Sequence, residues 1–567
     1  MSDKRADNSM LKRTKVVAVV LAIVCFAAVI VRLFYMQVID YDFYQSKAEN
    51  LQTREKILYP TRGTIYDTNM KPLAISASTE MLILMGNKLE DDFQRADIAL
   101  ALSDILGAEY STIYQKTQNT SSYVVIARGI EKDVADEIRA YITEKELASC
   151  MYMLKDSTRY YPYNNFLSHV LGFVGADEQG LSGIEYMYDD VLKGTVGRIV
   201  TATNAKGEEL PLEYETYYEA EDGNSLVLTI DEVLQHYLEK NLEIAYNDNK
   251  VQQSSIGIVM DPNTGAILAM ASYPDFNPNE PFTIVDSELA DAILKIEDKD
   301  EQAASRSNAL YAQWSNRAVS FTYYPGSTFK IITASMGLEE AVVNTNSTFN
   351  CTGTIKVGVE TIHCWRSYNP HKVQTLAKAI QNSCNPAFIQ MGFKIGHSNF
   401  TKYVDAFGLR SKTGVDLPGE AVGLYNLKQD IDLAVYSFGQ NFSITPIQLI
   451  SAVSAVANGG TLLEPYIVKE IIDSEGNVVE SFGKTEVRQV ISKETSDTMR
   501  EMLESVVSVG TGKNAYTVGY RVAGKTGTTE KIADQQEGEE LRISSFVAFA
   551  PADGLTFLVV VFGKGFL

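Results

Sequence analysis

From Val16 to Val31 the chain carries only apolar or small side chains, and past Arg32 the run resumes as Leu33-Phe34-Tyr35-Met36. As a helix, residues 16–36 extend about 31 Å, enough to cross the hydrocarbon core of a bilayer. Lys4, Arg5, Lys12, Arg13 and Lys15 precede the run, and Asp40 and Asp42 follow it. The positive-inside bias then puts the N-terminus in the cytoplasm and everything after the run outside. The run is longer than a signal-peptide core and no small-x-small cleavage site follows it, so the expectation is an uncleaved anchor that crosses once. No second stretch of comparable length occurs in the 567 residues.

That placement governs how the rest is read. The length allows roughly three or four domains, and 45% hydrophobic with 22% charged residues is ordinary for globular protein. A net charge of −22 speaks against a nucleic-acid partner, which needs clustered positive charge. An acidic protein that takes an anionic substrate must supply local cations at its site. Five cysteines (Cys25, Cys150, Cys351, Cys364, Cys384) are too few in so long a chain for a disulfide framework, although an extracytoplasmic setting permits one.

Residues 1–15 read as a cytoplasmic tail, 16–36 as the anchor, 37–225 as a pedestal and 226–567 as a second extracytoplasmic domain. In the pedestal, Arg62 to Asp67 with Pro72-Leu73-Ala74 reads as strand, turn, strand, and helical spacing covers Leu89–Leu106 and Val134–Leu147. Arg62, Asp67, Arg159, His169 and Glu185 are candidates for chemistry there, but structural ion pairs perturb such groups equally well. From Leu226 onward come a strand, a helix over Asp231–Tyr246, and a hairpin of Ser255–Met260 with Ala266–Ala271. Helices are expected from Glu288 to Ala457. Strand patterns return at Tyr466–Ile472, Gly519–Ala523, Ser545–Ala550 and Thr556–Val561. Strands at both ends with helices between describe an α+β domain around one antiparallel sheet.

Three short motifs stand out within it. Tyr324-Pro325-Gly326-Ser327-Thr328-Phe329-Lys330 reads as a turn that delivers Ser327 to the start of a buried helix, with Lys330 three positions on and on the same face. A serine hydroxyl is a weak nucleophile until a base adjoins it, and a lysine is that base once desolvation or a second cation lowers its pKa. Ser383-Cys384-Asn385 precedes Pro386, in a loop between helices that aims Ser383 and Asn385 to one side. Lys525-Thr526-Gly527-Thr528 follows the expected strand 518–523 and offers a cation, two hydroxyls and a backbone N–H; Gly527 is expected to leave room for a substrate against the backbone. Two decoys share the letters: Ser481-Phe-Gly-Lys484 lies in a polar stretch, and Lys412-Thr413-Gly414 lies in a loop with no strand before it. Motifs are told apart by context.

In this order, Ser327-x-x-Lys330, Ser383-x-Asn385 and Lys525-Thr526-Gly527 resemble the penicillin-recognising serine transferases and hydrolases. The single anchor, Arg62-Gly63…Asp67, Gly180-x-x-Gly183-x-Glu185, Thr229-Ile-Asp231 and Gly439-Gln440…Thr445-Pro446 narrow the likeness to the class B penicillin-binding proteins, over nearly the whole chain. The resemblance implies a monofunctional D,D-transpeptidase that cross-links peptidoglycan stem peptides outside the membrane and is trapped by β-lactams. It implies Ser327 as nucleophile, Lys330 as base and Ser383 as proton relay. Asn385 would hold Lys330 and the substrate amide, Lys525, Thr526 and Thr528 the terminal carboxylate, and the N–H groups of Ser327 and Thr528 the oxyanion. A membrane-embedded glycan polymerase of the SEDS type is the implied partner, and no cofactor is required. The family also leads one to expect a C-terminal helix against the sheet, where this chain ends at Val561-Phe-Gly-Lys-Gly-Phe-Leu567.

Cys384 sits inside the second motif, so whatever binds it touches the site. Cys364, His371 and Cys384 are open to three readings: free thiols, a Cys364–Cys384 disulfide, or a zinc site for which these residues supply three of four ligands. A cysteine pair here also resembles the sporulation-specific members of the class, for which the resemblance implies a redox-switchable disulfide. Competing functions are a D,D-carboxypeptidase or β-lactamase, which would need a deacylating base not identifiable here, and a β-lactam sensor, which would carry more spans and a cytoplasmic effector.

Overall fold

The structure is a computed structural model that describes residues 8–41, 53–89, 91–202, 215–530, 542–554 and 557–566. Lys4, Arg5 and Asp42, part of the charge bias around the apolar run, lie outside these residues, as does Leu567. The chain divides into two compact units, residues 1–60 with 195–221 and residues 61–194 with 222–567.

In the first unit, helix α1 (Asn8–Phe34) runs on as a π-helical turn over Tyr35–Ile39. From Val16 on it is apolar all round but for Arg32, the kind of helix that needs a nonpolar surrounding. Lys12–Ile39 is, among the described residues, the one helical stretch long and apolar enough to cross a membrane. The same unit holds a three-stranded antiparallel sheet of Thr53–Leu58, Gly197–Ala202 and Glu215–Tyr218.

The second unit contains two larger sheets. In one, the long strand Pro72–Leu84 pairs with Met151–Tyr160, Val124–Ile130 and Ile65–Tyr66, all antiparallel. Ile65–Tyr66 then runs parallel to Ser225–Leu228, which pairs with Val468–Ile472. Helices Asp92–Leu106 and Lys132–Glu144 lay Ile98, Leu102, Ala135 and Ile138 on its apolar face, as the helical spacing of the sequence predicts.

The second sheet carries the site. Its strands are Ser254–Met260 (β1), Ile267–Tyr273 (β2), Ala523–Glu530 (β3), Arg542–Ala550 (β4) and Phe557–Phe566 (β5), antiparallel throughout in the order β2-β1-β5-β4-β3. Helix Glu232–Asp248, capped by the Asp231 carboxylate on the amides of Val233 and Leu234, covers one face through Leu238 and Leu242. On the core side lie helix α2 (Lys330–Glu339), α3 (Asn385–Ala406), α4 (Pro446–Ala457) and α5 (Lys493–Val509). Every residue of α4 is buried. Thr445 and Gln448 form a reciprocal capping box and Pro446 takes the first turn, where its missing N–H costs nothing. Burying Ile447, Leu449, Ile450, Val453 and Val456 contributes on the order of 10 kcal/mol before chain entropy is counted, which makes α4 the pillar behind α2.

Two expectations are corrected. The strand predicted over 518–523 begins only at Ala523 and contains the Lys-Thr-Gly motif instead of preceding it. Val518 and Tyr520 are apolar letters in an exposed turn where Gly519 has φ 87°. The stretch expected to be helical from 288 to 457 also holds four short strands, Thr348–Cys351, Thr354–Val357, Glu360–His363 and Lys372–Thr375, paired as two small ribbons.

Candidate active site

Ser327 sits in a 3-10 turn, Gly326–Phe329, that feeds directly into α2. Gly326 has φ 58°, and its N–H donates to the Gly439 carbonyl at 2.8 Å. A side chain on Gly439 would lie 2.0 Å from the Gly326 oxygen, so the backbone crossing that presents the serine requires glycine on both strands. Strand β3 is held against the turn by Thr529 Oγ1, which donates to the Tyr324 carbonyl at 3.0 Å. A Cβ on Gly527 would meet Ser545 Oγ at 2.4 Å and Thr328 Cγ2 at 3.0 Å. The absent side chain lets β3 pack closely against the Ser545 hydroxyl on β4 and against the serine turn, and Gly527 also lines the cavity beside Ser327.

Lys330 is fully buried. Its Nζ lies 3.0 Å from Ser327 Oγ, 2.9 Å from the Ser383 carbonyl, 3.1 Å from Ser383 Oγ and 2.7 Å from Asn385 Oδ1, with the rings of Phe388 and Phe438 at 5.5 and 5.9 Å. Two of these neighbours, a carbonyl and an amide oxygen, can only accept. A neutral amine therefore commits both N–H bonds to them and turns its lone pair toward a hydroxyl. Burial pulls the Lys330 pKa from 10.5 down to about 7, against a smaller opposing pull from Cys384 and Cys364. Lys525 is also fully buried, with Nζ donating to the Thr526 carbonyl at 2.8 Å. Burial first, and then the charge of Lys330, push its pKa well below the usual lysine range.

The second motif reaches Lys330 through backbone strain. Helix Leu376–Gln381 ends at Asn382, and Ser383 adopts φ 50° before Cys384 caps α3. Glycine usually fills such a left-handed position; for serine it costs roughly 1–2 kcal/mol. The turn aims both the carbonyl and the hydroxyl of Ser383 at Nζ. Ser327, Ser383, Asn385, Thr526, Gly527 and Thr528 line one cavity of about 360 Å³. Thus the structure brings the three sequence motifs together, with Lys525 buried beside them.

Neither decoy enters. Thr413 folds back on Glu420 through its N–H and hydroxyl, and Lys484 pairs with Glu486 on an exposed strand. The pedestal candidates are structural. The Glu185 carboxylate is fully buried between Arg62 and Arg159 at 2.8 and 2.6 Å. Asp67 accepts from the amides of Asn69 and Lys71 in a turn. Buried His169, its pKa lowered to about 4 by desolvation, hydrogen-bonds the Gln313 carbonyl.

Behind Ser383 lies a group that sequence reading named only in part. Cys364, His371 and Cys384 are joined by Cys351, and the four potential ligand atoms all lie within 4.8 Å of one another. His371 Nδ1 is 3.7 Å from Cys351 Sγ and 3.5 Å from Cys364 Sγ. A tetrahedral zinc with ordinary bond lengths has S···N edges of about 3.6 Å. One imidazole nitrogen cannot satisfy two thiols with a single lone pair, whereas a central cation would satisfy all four groups. The thiols are not joined in a disulfide. Cys364 is held well below the usual thiol range by a hydrogen bond from Cys384, which is pushed up in return. Cys351 ends one of the short strands missed in the sequence, and its pairing with Lys372 brings it beside His371.

Residues 256–564 match the penicillin binding protein transpeptidase domain family, and residues 57–228 match the penicillin-binding protein dimerisation domain family. The chain is 36% identical over 568 residues to the stage V sporulation protein D of Bacillus subtilis, covering 98% of this chain and 82% of that one. It is 27% identical to the peptidoglycan D,D-transpeptidase FtsI of Escherichia coli, covering 94% and 83%. Its fold matches a peptidoglycan synthetase from Bifidobacterium adolescentis with TM-score 0.69 at 25% identity, over 90% of this chain and 92% of the other.

Proposed function

Because the chain belongs to the class B penicillin-binding proteins and is a serine D,D-transpeptidase, we propose that Ser327, Lys330, Ser383, Asn385 and Lys525 carry out its acyl transfer. Ser327 Oγ attacks the carbonyl carbon of the penultimate D-alanine and its proton passes to neutral Lys330. The N–H groups of Ser327 and Thr528 hold the oxyanion, where loss of one donor costs about 100- to 1,000-fold in rate. Ser383 relays the proton from Lys330 to the departing D-alanine nitrogen as the C–N bond breaks, leaving an ester on Ser327. The amine of a second stem peptide then attacks the ester, returning a proton through Lys330 to Ser327 as the cross-link forms. Lys525, Thr526, Gly527 and Thr528 receive the terminal carboxylate. A β-lactam enters the first half of this sequence and stops at the ester.

The observation that carries these roles is the buried Nζ 3.0 Å from Ser327 Oγ, with two pure acceptors fixing the rest of its valence. The test is labelling of the full-length protein in detergent by a fluorescent penicillin. Label lost in Ser327→Ala and Lys330→Ala supports the assignment, and label retained in Ser327→Ala overturns it. Cross-link formation measured beside free D-alanine distinguishes transfer from hydrolysis.

We further propose the division into tail (1–15), anchor (16–36), pedestal (37–225) and transpeptidase domain (226–567), with the tail cytoplasmic and the rest outside. The pedestal is the surface proposed for a SEDS-type polymerase. The likeness to the stage V sporulation protein D supports a role in sporulation. The four-residue cluster supports a structural zinc on Cys351, Cys364, His371 and Cys384 in preference to a Cys364–Cys384 disulfide, because it supplies a full tetrahedral set of soft and imidazole donors. Metal analysis of the purified protein reads one zinc per chain if this holds; zinc-free protein with a two-dalton deficit favours the disulfide.

A further inference from the structure

A second cavity, of about 530 Å³ against about 360 Å³ at Ser327, takes no part in the acyl transfer. Its volume falls within the range of about 300–1,000 Å³ usual for sites that hold organic ligands. One wall carries Leu181, Ser182 and Tyr186, and the other Phe282, Tyr311 and Trp314; both belong to the second compact unit. Both walls are fixed. Gly183, at φ 60°, admits no side chain, since a Cβ would lie 2.5 Å from the Val170 carbonyl oxygen. Trp314 Nε1 donates to the Pro281 carbonyl at 2.7 Å. The rings of Phe282 and Tyr311 stand nearly perpendicular to its indole, with centroids 5.4 and 5.6 Å away.

The chemistry of the lining selects its ligand. No lysine, arginine, aspartate or glutamate lines the cavity, and its histidine, His169, is neutral at pH 7 because burial lowers its pKa to about 4. Tyr311 is 67% exposed and Tyr186 55%, so one ring on each wall stands open to an incoming molecule. Ser182 precedes the helix Gly183–Met187 without capping it, which leaves its hydroxyl for a ligand. A stem peptide would bring carboxylates and amines to a place with no counter-charge, and a purely apolar partner would leave the Ser182 hydroxyl unpaired. A pyranose ring meets both demands. Its axial C–H groups lie on the negative face of an aromatic ring, while its hydroxyls and N-acetyl amide bond to neutral donors and acceptors. The glycan backbone of peptidoglycan is of this kind, and it is uncharged wherever its lactyl groups are amidated by stem peptides.

We propose that this cavity is a saccharide site for the β-1,4-linked N-acetylhexosamine backbone of peptidoglycan. The assignment rests on the transpeptidase reading above, which names the polymer, and adds a second point of attachment apart from the peptide pocket. Ser320, on the cavity wall, ends the short helix Arg317–Ser320. The chain runs from there directly into the turn that presents Ser327, so glycan held here and peptide held there are anchored to one continuous segment.

Trp314 and Trp365 are the two tryptophans of the chain, so Trp365→Phe leaves Trp314 as the sole indole reporter. The test titrates this full-length protein in detergent with chitotetraose, a neutral β-1,4-linked N-acetylglucosamine oligomer, and follows Trp314 emission. A saturable change is expected, and prior acylation by benzylpenicillin should leave it unaltered. Tyr311→Ala and Tyr186→Ala, one from each wall, should each weaken binding about two- to twelvefold in that background, while fluorescent-penicillin labelling matches the parent and shows that both variants are folded. No emission change at millimolar saccharide would overturn the proposal, as would equal affinity in both tyrosine variants. Binding lost on penicillin acylation would overturn it too, by putting the saccharide in the catalytic cavity, and displacement of chitotetraose by a sugar-free stem pentapeptide would make this a peptide site instead. Saccharide binding that behaves as expected in a protein whose Ser327 takes no β-lactam would uphold the cavity's ligand and strike the transpeptidase roles.

Discussion

Replacing Asn385 by aspartate asks whether Lys330 is the base. At a pKa of about 7 roughly half of Lys330 is neutral at pH 7, compared with about one molecule in 3,000 at the ordinary 10.5. Acylation should therefore rise with pH through about 7 and fall away below it, since the neutral amine is the reactive form. Asn385 Oδ1 lies 2.7 Å from Nζ. A carboxylate in its place stabilises the ammonium and raises the pKa by about 1–3 units, moving the rising limb to about pH 8–10. At pH 7 that alone slows acylation about five- to five-hundredfold, with recovery in alkali. Other titratable groups beside Nζ are Lys525, Cys364 and Cys384; none changes between the two proteins. The assay is stopped-flow acylation by a fluorescent penicillin from pH 5.5 to 10. Loss of the Asn385 contact to the substrate amide would lower the plateau without moving the midpoint, so the midpoint is the diagnostic. An Asn385→Asp limb that coincides with the wild-type limb, or a wild-type rate flat across pH 6–9, would refute the assignment of Lys330.

Three further outcomes follow from the packing. Glu185→Gln takes the carboxylate from buried Arg159 and leaves buried Arg62 with Asp189 alone; it should cost about 3–5 kcal/mol, seen as a lowered melting temperature, while the folded fraction still acylates normally, and an unchanged melting point would contradict the buried-pair account. Gly439→Ala forces a methyl to within 2.0 Å of the Gly326 carbonyl at φ 88°. It should reduce acylation more than about tenfold through displacement of the Ser327 turn, and a wild-type rate would show that the crossing can relax cheaply. A strong zinc chelator should lower the melting temperature of the wild type and leave Cys351→Ser, already short of a ligand, almost unmoved; equal responses would argue against Cys351 as a ligand.

The three motifs were legible because each pairs a reactive residue with a local cue: Pro325-Gly326 before Ser327, Pro386 after Asn385, and a strand-like run ahead of Lys525. The sheet was legible from its apolar runs, such as Ser254–Met260, where every residue is buried. What escaped was non-local. Nothing in the letters around Thr348 to Thr375 distinguishes four-residue ribbons from loop, and Cys351 meets His371 only through that pairing. The left-handed turn at Ser383 carries no glycine to signal it. The start of β3 was misplaced because Val518 and Tyr520 resemble strand residues yet face solvent. Apolar letters report a preference for burial, and only the fold decides whether it is met.

The parallel pairing of Ile65–Tyr66 with Ser225–Leu228, and the antiparallel pairing of the latter with Val468–Ile472, have a practical corollary for anyone dissecting this enzyme. A fragment starting at residue 226 would leave Leu226 and Leu228, both inaccessible in the intact chain, beside a sheet whose neighbouring strand had been cut away. A piece that keeps this neighbouring strand starts no later than Thr61, so residues 61–194 and the segment that performs chemistry must be produced as one polypeptide.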